Sequence, residues 1–164
     1  MFKPNEGKQS KLKSKLLIPM LVLLAVGVLP IAIVHSLGAD MPSGIHYIDH
    51  DKVSATMAKG GSLVHDPGLI VLAQRRKAGP VQSHDLTNHV FIMVDGEATL
   101  VVGGTMVDPK RISPTEMEAA SIDGGETYHL TKGDVITIPA KTPHWFKEVP
   151  TGTVAYYAVN TESQ

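Results

Sequence analysis

The pattern of apolar and polar positions changes character twice along the chain. Leu16 to Val34, "LLIPMLVLLAVGVLPIAIV", carries no charge at all. Residues 50 to 60 then alternate polar and apolar side chains at helical spacing. Beyond residue 60 the apolar positions come in short runs broken by turn signals. "LIVLAQRR" follows Pro67-Gly68, "VFIMV" precedes Asp95-Gly96, and "ATLVV" precedes Gly103-Gly104. "VITI" follows Lys132-Gly133-Asp134, and "TVAYYAV" follows Pro150-Thr151-Gly152. Regular short strands with glycine-bearing turns predict an all-β sandwich or barrel. The Asp95-Gly96 step between two apolar runs predicts a hairpin. A short helix is expected over Asp51 to Ala58, capped by Asp49 or Asp51 and ended by Gly60-Gly61. In "SPTEMEAA", 113 to 120, Ser113 offers a second cap with Pro114 at the first helical position. That piece lies in a long excursion, 104 to 126, of a length that is usually functional or mobile.

A charge-free run of about twenty residues is long enough to cross a bilayer as a helix. Lys3, Lys8, Lys11, Lys13 and Lys15 precede it, and Asp40, Asp49 and Asp51 follow. The positive-inside rule therefore predicts that everything C-terminal to it lies outside the cytoplasm. Ser36 and Gly38 offer small residues to a signal peptidase, so the run reads either as an uncleaved anchor or as a signal peptide. The expected division is a basic cytoplasmic region, 1–15; a transmembrane or signal segment, 16–37; a linker with a short helix, 38–60; and a β-domain, 61–164. That domain is then membrane-anchored, or secreted or periplasmic after cleavage.

Composition narrows the chemistry. In 164 residues, 15 lysines and arginines balance 16 aspartates and glutamates. No basic field points to nucleic acid and no acidic tail to a solvating role. There is no cysteine, which excludes a disulfide scaffold, a thiolate metal site and a cysteine nucleophile.

Eight histidines are present. His46, His50 and His65 lie in polar, turn-rich sequence and read as solvated. His84, His89 and His144 sit where the chain enters apolar segments. Placed on adjacent antiparallel strands, they can point into one barrel interior, where a divalent metal satisfies all three imidazoles at once. Spacing alone leaves ordinary surface or hydrogen-bonded histidines equally open. The strand period sends Phe146 the same way as His144 and Trp145 outward. His129 reads as a surface histidine or a proton carrier, Tyr157 as a packed or inward tyrosine. Arg75 and Arg76 read as a solvated edge, or as one inward arginine for a substrate carboxylate.

Two motifs then resemble those of the cupins, small jelly-roll barrels. "QSHDLTNHVFIMVDG" aligns Gln82, His84, His89 and Gly96 with the first cupin motif, with Gly79 slightly closer than the pattern asks. "GDVITIPAKTPH" aligns Gly133, Pro139, Lys141 and His144 with the second. The resemblance spans roughly residues 67 to 160 and implies a jelly roll of antiparallel strands behind the N-terminal segment. Family members commonly hold metal through two histidines and a glutamate of the first motif and a histidine of the second. Here Gln82 stands at the first histidine position and His89 at the glutamate position. Carried over, the implied metal set is Gln82, His84, His89 and His144, around a divalent transition metal such as Fe, Zn, Ni, Cu or Mn. Without a carboxylate ligand the ion's charge is left uncancelled, which favours a small anionic or enolisable substrate.

The leading expectation is a metal-dependent enzyme of dioxygenase, isomerase or lyase type, since one fold hosts them all. The alternative is a non-catalytic barrel that binds or senses a small ligand at the cell envelope. An acid–base residue within reach of the metal separates the two. The partners implied are a small molecule, the membrane through the N-terminal segment, no nucleic acid, and a second copy of the chain, since cupins often dimerise.

Overall fold

A computed structural model of the protein describes residues 44–163. The charge-free run, with its expected membrane or signal segment, lies outside the described residues. Among the described residues no helix is long and apolar enough to cross a membrane.

Among the described residues, one helix and thirteen strands follow in chain order. Helix α1 (His50–Lys59) begins at Asp49, whose side chain accepts a hydrogen bond from the Lys52 amide at 3.0 Å, and ends at Gly60 with φ 76°. It lies against the first two strands. The strands are β1 (Gly61–Asp66), β2 (Leu69–Arg76), β3 (Val81–His84), β4 (Thr87–Asp95), β5 (Ala98–Val102), β6 (Thr105–Val107) and β7 (Lys110–Ser113). They continue with β8 (Glu116–Ala119), β9 (Ser121–Asp123), β10 (Glu126–Leu130), β11 (Val135–Ile138), β12 (His144–Glu148) and β13 (Val154–Glu162).

Two antiparallel sheets carry the core. One has the order β1-β2-β13-β4-β11, the other β10-β5-β12-β3-β8-β7, and a small ribbon pairs β6 with β9. Side chains alternate across each strand, so every second residue enters the space between the sheets. Phe91, Met93, Tyr156 and Ala158 from the first sheet meet Leu100, Leu130 and Phe146 from the second in one buried cluster. The expected all-β jelly roll is therefore present.

Two local expectations fail, each for a physical reason. Asp95-Gly96 does not close a hairpin between paired strands, because β4 and β5 belong to different sheets. The turn is a corner. Gly96 sits at φ 79°, and a Cβ there would stand 2.6 Å from the Thr153 carbonyl oxygen, so the corner closes against the loop before β13. The second is the helix expected over 113–120. Residues 114 and 115 form a turn, and "EMEA" continues as β8, paired with β3 on one side and β7 on the other. Ser-Pro serves a turn as readily as a helix start. Pairing with β3 and β7 on its two sides decided the matter.

Candidate metal centre

His84 ends β3, His89 lies two residues into β4, and His144 begins β12. The strands β3 and β12 are neighbours in the second sheet, but β4 lies in the first. The three are therefore not on adjacent strands, as the sequence suggested; they converge across the interior from facing sheets. Ring centroids are 4.8 Å apart for His84 and His89, 5.2 Å for His89 and His144, and 5.6 Å for His84 and His144. One nitrogen from each lies within 4.8 Å of the others.

The turns that carry these residues are tied together. The Lys141 amide donates to the His84 carbonyl oxygen at 2.7 Å, and the Ala140 amide donates to the Asn88 side chain at 3.0 Å. These bonds hold the turn before β12 on the turn between β3 and β4, which sets His144 beside His84. Lys141 stands where the second motif places glycine, and it adopts φ 64°, a left-handed conformation that glycine takes without strain.

Two of the rings are held by their outer nitrogens. His89 Nδ1 donates to the Asn160 side-chain oxygen at 2.8 Å, and His144 Nδ1 donates to the Thr142 carbonyl at 3.1 Å. That fixes the tautomer of each and leaves Nε2 with a free lone pair. His89 Nε2 is buried and has no partner. Burial holds all three imidazoles below their ordinary range. His144 is pushed down to about 3 by burial first and by the neighbouring His89 second, against the Thr142 bond. His84 is lowered by burial and then by the Arg76 charge. His89 is lowered by burial despite the Asn160 bond. Neutral imidazoles with free lone pairs are what a transition metal takes as ligands.

Gln82 faces the same cavity as His84, two residues on. Its amide nitrogen donates to Glu116 at 3.2 Å and to Glu118 at 3.3 Å, which orients the amide. The register of β8 pairs Glu118 with Gln82 and Glu116 with His84, so both glutamates share the inward face. Glu116 comes within 3.9 Å of His84 Nε2. The implied ligand set has no carboxylate, but these two stand beside it. The β7–β8 hairpin that carries them is fastened by Arg111, whose guanidinium meets Asp85 at 2.7 Å and the Pro114 carbonyl at 2.9 Å.

The cavity measures about 230 Å³ and is lined by the histidines of β3 and β4, Gln82, Gln74, Arg76 and Asn160, among others. Arg76 faces inward and Arg75 is exposed, which resolves the two arginine readings. Phe146 is buried beneath the site, and the half-buried Trp145 donates to the Gly79 carbonyl at 2.8 Å. Tyr156, not Tyr157, lines the cavity. His129 is 58% exposed beside Glu97 and takes no part. His46 pairs with the buried Asp66 at 2.9 Å, away from the site.

No family model matches the sequence, and no curated protein matches it. Solved structures do. A Bacillus halodurans protein, BH2720, superposes with a TM-score of 0.53 at 15% identity, over 76% of this chain and 86% of its own. A cupin protein from Bacteroides fragilis matches with a TM-score of 0.45 at 13% identity, over 73% of this chain and 84% of its own. Iron(II) HppE matches with a TM-score of 0.46 at 19% identity, over 62% of this chain and 49% of its own. The likeness to BH2720 is one of fold, that of two facing antiparallel sheets.

Proposed function

We propose that the barrel is a mononuclear metal centre acting on a small molecule, held by His84, His89 and His144 with Gln82 completing the set. The single observation that carries this reading is His89: one ring nitrogen is engaged by Asn160, and the other is buried without a partner and aimed at two more imidazoles. A buried acceptor left unpaired costs about 1–3 kcal/mol, and a shared cation removes that cost. Three nitrogen ligands suit Zn, Fe, Ni or Cu better than Mg or Ca. When bound, such an ion supplies a Lewis acid or an oxygen-activating centre.

The chain's own residues do the rest. Asn160 and the Thr142 carbonyl hold two rings in one tautomer. Phe91, Phe146 and Tyr156 floor the cavity with ring centroids 4.8–6.0 Å apart, which keeps bulk water from beneath it. Glu116, 3.9 Å from His84, is placed to accept or return a proton at a molecule bound there. That carboxylate favours the enzyme over a barrel that only binds. Further, the lysines ahead of the charge-free run, 16–34, support a barrel lying outside the cytoplasm, tethered or released.

The test is a cobalt(II) titration of the metal-free full chain, followed by the visible ligand-field bands. The wild type should saturate near one equivalent, and His89→Ala should lose the bands. Equal spectra from both proteins would remove the site.

A further inference from the structure

Arg76 is the last residue of β2 and turns into the cavity with Gln74, one strand period behind it. Its guanidinium lies over the Phe146 ring, 5.4 Å from the centroid, and the buried Tyr156 lines the same cavity. No carboxylate among the described residues forms an ion pair with it. A half-buried guanidinium has lost part of its hydration, and its planar fork matches a carboxylate in two parallel hydrogen bonds. The nearest acidic side chains stand behind Gln82 and do not line the cavity. They are Glu116 and Glu118 of β8, with the Gln82 amide between them.

We propose that Arg76, with Gln74 beside it, forms an anion subsite that takes the carboxylate of a compact organic acid. This assignment rests on the reading of the cavity as a substrate site. Arg76 is the cationic side chain of the lining, and no carboxylate lines the cavity beside it, so a bound carboxylate is drawn to that end. Size sets the class. The cavity, about 230 Å³, is smaller than the roughly 300–1,000 Å³ of sites for drug-sized ligands, so the acid is short and unbranched.

Calorimetric titration of the full chain with glycolate, lactate and 3-hydroxybutanoate, each beside its neutral primary amide, tests the subsite. At least one acid should bind and its amide should bind at least tenfold more weakly. Arg76→Gln should lose at least tenfold in affinity for the acid and Arg76→Lys less. Both variants should keep the wild-type zinc stoichiometry, which separates this outcome from failure of the metal centre. The same titrations on metal-free protein should retain the dependence on Arg76. Binding of the acid by Arg76→Gln as tight as by wild type would overturn the proposal, as would equal affinity for acid and amide, or no binding of any of the three acids. Should Arg76→Gln fail to fold, the acid–amide comparison on wild type decides.

Discussion

His89 and Asn160 face each other across the β4–β13 pair, and the imidazole Nδ1 donates to the amide oxygen at 2.8 Å. They are 71 residues apart in the chain. The bond costs the inward nitrogen nothing and settles which nitrogen that is. Asn160→Ala should therefore leave the barrel folded but weaken metal binding by about 10–100-fold. Competition titration against a chromophoric chelator measures this. An unchanged affinity would mean that Asn160 does not orient the ring.

The metal-free barrel should lose stability in acid. The three imidazoles have folded-state values below their ordinary 6.5, His144 at about 3. The unfolded chain therefore binds protons first as pH falls. The stability is present in full above about pH 6.5 and is lost on the way toward pH 3, with a slope of about 1.4 kcal/mol per pH unit for each histidine that stays neutral in the fold. Urea unfolding between pH 7 and 5 should show the decline, and His144→Gln should flatten it.

Lys141 holds φ 64° in the turn that places His144. Lys141→Gly should relieve the strain and raise stability by about 0.5–1 kcal/mol, with metal affinity retained. A loss of stability in urea would show that the lysine side chain contributes more than its backbone costs.

Gly96 is the opposite case. Its φ of 79° and the 2.6 Å approach a Cβ would make to the Thr153 carbonyl leave no room for alanine. Gly96→Ala should destabilise the barrel by about 2–4 kcal/mol, read as a lower urea midpoint.

How much of this was legible in the sequence varies with how local the deciding interaction is. The bounds of β2, β5 and β11 coincide with the apolar runs "LIVLAQRR", "ATLVV" and "VITI", because turn residues bracket each run. The helix cap at Asp49 is likewise a matter of three residues. Asp95-Gly96 carries the same local signal as a hairpin, and only its packing against residues 151–154 makes it a corner. Glu116 and Glu118 were hidden by reading Ser113-Pro114 as a helix start, although "EMEA" alternates with the period of a strand. Asn160 has no local signal, and for Arg76 the strand pattern leaves a solvated and an inward side chain both open. They reach the site through the register of β13 with β4 and β2, which no short stretch of sequence contains.

The central claim is that His84, His89 and His144 hold one metal ion in this barrel. The most direct measurement is the metal content of the full chain isolated from its own host, by elemental analysis, for the wild type, His84→Ala and His144→Ala. Close to one transition-metal ion per wild-type chain is expected, and its loss from both variants. A metal-free wild type, or metal retained in both variants, would contradict it.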